Sequence, residues 1–198
     1  ANNKSLFYLN SSGKLYSINH LNKKINWISS FSESMSDNKF GFFDGQPITL
    51  YNEKLILSSF NQIHLIDYLT GKTIWSRSIK NTIKPLVINE QIFLITKNRF
   101  LVSLNFNGKV NWSRNINQMI KNDNQVKINN LGQIKNLSFI NSNIQTITSK
   151  GYVIDFKIKN GDIKNIYGLL KEKIYYNPIY ANSKIYVLNK AGKLLIYH

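Results

Sequence analysis

The chain has 198 residues, 42% hydrophobic and 13% aromatic, enough apolar side chain to close a core and too much for a disordered segment. Its formal charge is +16, yet all but Arg77, Arg99 and Arg114 of its 26 basic residues are lysines, scattered through turns at Lys14, Lys72, Lys109 and Lys193. Specific phosphate and base recognition leans on arginine's bidentate fork, so the charge reads as a solvated surface and argues against specific nucleic-acid binding.

No apolar run reaches the roughly 18–20 residues that cross a bilayer as a helix. With no cysteine, these residues offer no disulfide, thiolate or lipid attachment point. The polar start Ala1-Asn2-Asn3-Lys4 is no signal peptide, as in a mature or trimmed product.

In chain order, residues 5–10 and 14–18 read as strands paired through Ser11-Ser12-Gly13, and residues 24–31 add a third. Residues 32–46 form a long connection holding Phe40, Phe42 and Phe43. Residues 47–79 then read as four strands, of which QIHLIDYLTGKTIWSRSI at 62–79 is the best-formed part. Ile63, Leu65 and, across the turn, Ile74 mark one register of alternation there, with Asp67, Thr70 and Gly71 in the turn and Trp75 four residues after the glycine. Residues 85–116 repeat the unit, with Gly108 four residues before Trp112 and the same Trp-Ser-Arg-Xaa-Ile tail.

A second long connection, residues 117–135, carries Met119 and Ile120. Residues 136–166 are a degenerate copy that keeps Gly161 and puts Asn165 where the tryptophan stands elsewhere. Residues 177–198 give three further strands. The first copy keeps Trp27 and has Lys23 at the place of the glycine.

Four short strands at this period predict an all-β propeller of four-stranded antiparallel blades, here 5–31 (incomplete), 47–79, 85–116, 136–166 and 177–198 (incomplete) in one domain. The signature residues Trp27, Asp67, Thr70, Gly71, Trp75, Gly108, Trp112 and Gly161 are expected to serve the fold, each indole covering the sheet of the neighbouring blade. Propellers close by completing one blade from both chain ends, so a last blade of three strands predicts the C-terminal portion of a larger ring.

The run Leu65-Ile66-Asp67-Tyr68-Leu69-Thr70-Gly71-Lys72-Thr73-Ile74-Trp75 resembles the repeat of the quinoprotein-type (PQQ-like) β-propellers, whose blades carry Ala-Leu-Asp, Thr-Gly and Trp. The resemblance implies one of two roles. Scaffolds of the family are eight-bladed, periplasmic and lipid-anchored, and serve outer-membrane β-barrel assembly; membrane association would then come only from an upstream anchor. Its dehydrogenases hold pyrroloquinoline quinone with calcium, an acidic base and vicinal cysteines.

The ten acids here never pair at ligand spacing, and His20, His64 and His198 lie in three different repeats without a partner motif. No catalytic, cofactor or metal site is therefore expected in these residues. The leading expectation is a non-catalytic scaffold for a protein partner, such as the outer-membrane barrel-assembly protein. The alternative is part of a quinone-dependent dehydrogenase or ligand-sensing propeller whose site lies in other blades. Both long connections should emerge on one face, where Phe40, Phe42, Phe43, Met119 and Ile120 either meet the partner or fold back as a cap.

Overall fold

The computed structural model describes residues 5–31, 43, 45–59, 61–123, 126–168, 173–181, 184–189 and 191–197. Among these, strands form five separate antiparallel sheets, or blades, each built from consecutive strands. Blade 1 holds β1 (Ser5–Leu9), β2 (Lys14–Asn19) and β3 (Ile25–Ser30). Blade 2 holds β4 (Thr49–Tyr51), β5 (Lys54–Ser59), β6 (Gln62–Asp67) and β7 (Thr73–Arg77). Blade 3 holds β8 (Leu86–Ile88), β9 (Gln91–Ile95), β10 (Phe100–Asn105) and β11 (Val110–Asn115). A helix, α1 (Ile116–Asp123), and a short 3-10 turn, Ile128–Asn130, lead to blade 4, with β12 (Ser138–Ile140), β13 (Asn143–Ile147), β14 (Tyr152–Lys157) and β15 (Ile163–Gly168). Blade 5 holds β16 (Ile179–Ala181), β17 (Lys184–Leu188) and β18 (Leu194–Tyr197).

The core lies in the seams between blades. Strand pleating sends Leu55 and Leu57 of β5 toward blade 1, where they join Leu15 and Trp27, while Ile56 faces blade 3 and meets Ile92 and Leu94. Both sheet faces are thus buried, which is why β5, β9 and β13 carry apolar runs broken by only a few polar residues. Each leucine or isoleucine fully buried this way contributes about 1.5–3 kcal/mol.

In each of the first four blades the pairing between the last two strands slips by one residue, between Ser17 and Ile18, Leu65 and Ile66, Ser103 and Leu104, and Asp155 and Phe156. The extra residue is Asn26, Ile74, Asn111 or Lys164, always just before Trp27, Trp75, Trp112 or Asn165. A bulge re-aims the side chain that follows it, and here it turns the indole toward the next blade. It also corrects the expected register of Ile74, which shares no face with Ile63 and Leu65 and is 48% exposed.

Candidate functional site

The connections between blades touch the turns between second and third strands, so both emerge on one face of the array. Phe43 N donates to Ser11 O at 3.0 Å, Lys97 N to Lys80 O at 3.2 Å, and Ser149 N to Gln133 O at 2.7 Å. This face bears the second insertion and, of the first, Phe43.

Much of the second insertion is helical. Asn115 caps α1, its Oδ1 accepting from Gln118 N at 3.1 Å, and Ile116 and Ile120, four apart, lie on one helix face. Both are fully buried in the seam between blades 3 and 4, among Phe93, Leu101, Ile154 and Phe156. The Arg99 guanidinium ties the segment to blade 3, donating to Asn117 Oδ1 at 3.2 Å and to Gly132 O at 2.8 Å.

This corrects the display of Met119 and Ile120 on the surface, because Ile120 is 0% exposed and Met119 packs against the same cluster. Phe43 is half-buried against the cluster between blades 1 and 2 and is no exposed contact either. Phe40 and Phe42 lie outside the described residues. What this face does expose includes Lys80, Lys97, Lys121, Lys127 and Lys150.

The signature residues build the joints between blades. Trp27 Nε1 donates to Tyr68 O at 3.1 Å, and Trp75 Nε1 to Phe106 O at 2.7 Å, each crossing to the last turn of the next blade. Two residues on, Ser29 Oγ donates to Gly71 O at 2.7 Å, Arg77 Nε to Gly108 O at 2.8 Å, and Arg114 Nε to Asp162 Oδ1 at 3.1 Å. Within the turn, Asp67 Oδ1 accepts from Leu69 N, Thr70 N and Thr70 Oγ1. Burial would raise the Asp67 carboxyl, but the Thr70 bonds and Lys54 Nζ at 3.4 Å outweigh it and hold the group below its usual value.

A cavity of about 320 Å³ between blades 1 and 2 contains the one described histidine that is buried. His64 Nε2 lies 2.8 Å from Ser59 Oγ and Nδ1 lies 2.8 Å from Ser76 Oγ, with the Phe31 ring edge-on at 5.0 Å. Burial pushes the imidazole below its ordinary value, favouring the neutral ring. The next seam has a cavity of about 440 Å³ at matching positions, since pairing registers place Thr96 at the site of Ser59, Val102 at that of His64 and Ser113 at that of Ser76. Both cavities are products of the repeat, and only the first is polar at its centre.

The seam between blades 4 and 5 departs most from the repeat. Positions held by Ile56, Leu65, Trp75 and Arg77 in blade 2 are held by Gln145, Asp155, Asn165 and Tyr167 in blade 4. Gln145 Nε2 donates to Asp155 Oδ1 at 2.8 Å, and Asn165 Nδ2 reaches Asp155 Oδ2 at 3.5 Å. Among the described residues Gln145 Oε1 is buried without a hydrogen-bond partner. Burial pushes the Tyr180 phenol up to about 12 and, with the Asp155 charge, raises Tyr167. Among the described residues no three His, Cys, Asp or Glu side chains gather as a metal-binding group, and no helix is long and apolar enough to cross a membrane.

Comparison with solved structures shows the fold. BamB from Moraxella catarrhalis is similar over 99% of this chain and 70% of its own, at 12% identity and a TM-score of 0.56. The fold is a β-propeller. The computationally designed Ika8 protein aligns over 100% of this chain and 56% of its own, at 9% identity and a TM-score of 0.67. KlHsv2 with loop 6CD replaced by a Gly-Ser linker aligns over 99% and 61%, at 8% identity and 0.66. The chain therefore spans between 56% and 70% of these structures' lengths. No family model matches the sequence, and no curated protein matches it.

Proposed function

We propose that the chain is part of a non-catalytic propeller scaffold that holds a protein partner, acting like BamB in outer-membrane β-barrel assembly in the periplasm. The observation that carries this reading is the shared fold with BamB along 99% of the chain. The likeness of the Leu65 to Trp75 run to the PQQ-like repeat points the same way. The partner surface is the insertion-bearing face, where the exposed lysines do the contacting, so the partner offers acidic groups.

The test is binding of the purified chain to the periplasmic part of the barrel-assembly protein, measured on a biosensor at two salt concentrations. Saturable binding is expected. It should weaken at least about tenfold for Lys97→Glu with Lys121→Glu, since reversing charges at an interface costs over about 1.4 kcal/mol. Lys159→Glu, on the opposite face, should change little. Absence of saturable binding, or equal loss for all three substitutions, would overturn the reading.

A further inference from the structure

Every internal seam pairs two half-faces, one looking back along the chain and one looking forward, and among the described residues each end of the array leaves one half without a facing blade. In blade 2 the backward half includes Leu55, Leu57 and Ile66, all buried against blade 1. Pairing registers place Leu6, Tyr8 and Ile18 of blade 1 at those positions, since Leu6 pairs with Ile18 as Leu55 does with Ile66, and Tyr8 with Tyr16 as Leu57 does with His64. These stay apolar although among the described residues no blade packs on them, with Leu6 46% and Tyr8 53% exposed and Ile18 half-buried.

The forward half of blade 2 includes Ile56, Ile63 and Leu65, buried against blade 3. The corresponding Tyr186, Leu194 and Ile196 of blade 5 form an open face, with Ile196 49% exposed. Solvated sheet faces in antiparallel proteins normally alternate to polar residues, and these do not.

We infer that these two faces are unpaired halves of blade-to-blade seams and that further blades of the same polypeptide cover them. All four observed seams join consecutive blades of one chain, and the solved propellers that resemble it are longer than it. A second copy would bring another +16 of charge to the contact.

The structure also specifies the joint of the blade that covers blade 1. Lys23 occupies the place of Gly71, at φ +60°, and its N–H donates to Asn19 O at 2.9 Å as Gly71 N–H does to Asp67 O at 2.9 Å. At Gly71 a β-carbon would stand 2.5 Å from Trp27 Cε3. Lys23 has that β-carbon, so the covering blade carries no indole at its joint, as blade 4 carries Asn165 there.

The chain lacks cysteine, so single thiols report cover directly. Tyr8→Cys, Ile196→Cys and, as a control on a turn, Leu21→Cys are labelled with a maleimide in the 198-residue chain and in the full chain translated from its own gene, any native cysteines there being replaced by serine. In the shorter chain all three thiols should react alike. In the full chain the Tyr8→Cys and Ile196→Cys thiols should react at least about 100-fold more slowly while the control does not change.

Hydrogen exchange of β1, β2 and β18 in the unsubstituted chains gives the same comparison without mutation. Equal rates in both chains overturn the proposal, as does a full chain without further blades or with tryptophan at the joint facing Lys23. Protection in the shorter chain that grows with its concentration also overturns it, by assigning the faces to a second copy.

Discussion

A β-carbon at Gly161 would lie 2.3 Å from Cζ3 of Trp112, which stands on the last strand of the preceding blade. The glycine and the tryptophan of the repeat therefore serve different partners: Gly71 receives Trp27, Gly108 receives Trp75, and Gly161 receives Trp112. Gly161 also has φ +74°, so both the backbone and the indole select glycine.

Trp112→Ala should cost about 3–5 kcal/mol, near 10 °C in Tm for a chain of this size. Gly161→Ala meets both strain and a clash, whereas Gly192→Ala, at φ +78° with nothing within 4 Å of its β-carbon, meets strain alone. Alanine should therefore destabilise more at Gly161 than at Gly192. In a thermodynamic cycle Trp112→Ala and Gly161→Ala should couple by about 0.5–3 kcal/mol, the double variant losing less than the sum. Strict additivity would contradict the joint.

His64 predicts a pH dependence whose sign follows from its environment. Burial lowers its pKa in the fold from 6.5, while the unfolded chain titrates near that value, so protons bind the unfolded state preferentially between the two. Stability is full above about pH 6.5 and falls as the pH drops through the lower folded value. Among the described residues no charged side chain lines the cavity to oppose this. His64→Val, copying Val102, should flatten urea-unfolding stability between about pH 7 and 5; an unchanged slope would remove His64 as its source.

The blades were legible in the sequence because β6 and β10 repeat a tight turn and an indole at one spacing, and because strand period two fixes which residues share a face. The bulge before each tryptophan was not legible, since nothing in Ile74 or Asn111 distinguishes an extra residue from a paired one. Nor was the partner of Gly71, which lies in another repeat. Helix α1 did have a signal: Asn115 followed three residues later by Gln118, and Ile116 with Ile120 at helical spacing. His64 and Asp155 read as ordinary strand residues because burial of a polar group depends on the facing blade.

The polar seam predicts unequal effects of single and paired substitution. Asp155→Leu alone leaves Gln145 Nε2 buried without its 2.8 Å acceptor and should cost about 1–3 kcal/mol. Gln145→Ile added to it restores the residue types of blade 2 and removes the orphaned Oε1 as well, so the double variant should recover most of that loss or exceed the parent. Chemical denaturation of the three proteins decides it. A double variant as unstable as the sum would mean that the polar pair contributes more than its own hydrogen bond.

The second insertion gives the last test, because its apolar residues are structural where the sequence left display and capping open. Ile120 is wholly buried between blades 3 and 4, so Ile120→Ala should cost about 2–5 kcal/mol, and Ile120→Lys more. Asn115→Ala removes the cap on α1 and should cost about 1 kcal/mol. Lys121, exposed on the same helix, should tolerate alanine within about 0.5 kcal/mol. A residue displayed for a partner behaves the other way, since truncating it leaves the isolated fold unharmed and weakens only the complex. Tm of the isolated chain separates the two: a full-strength melt for Ile120→Ala would move Ile120 back to the surface and the insertion with it.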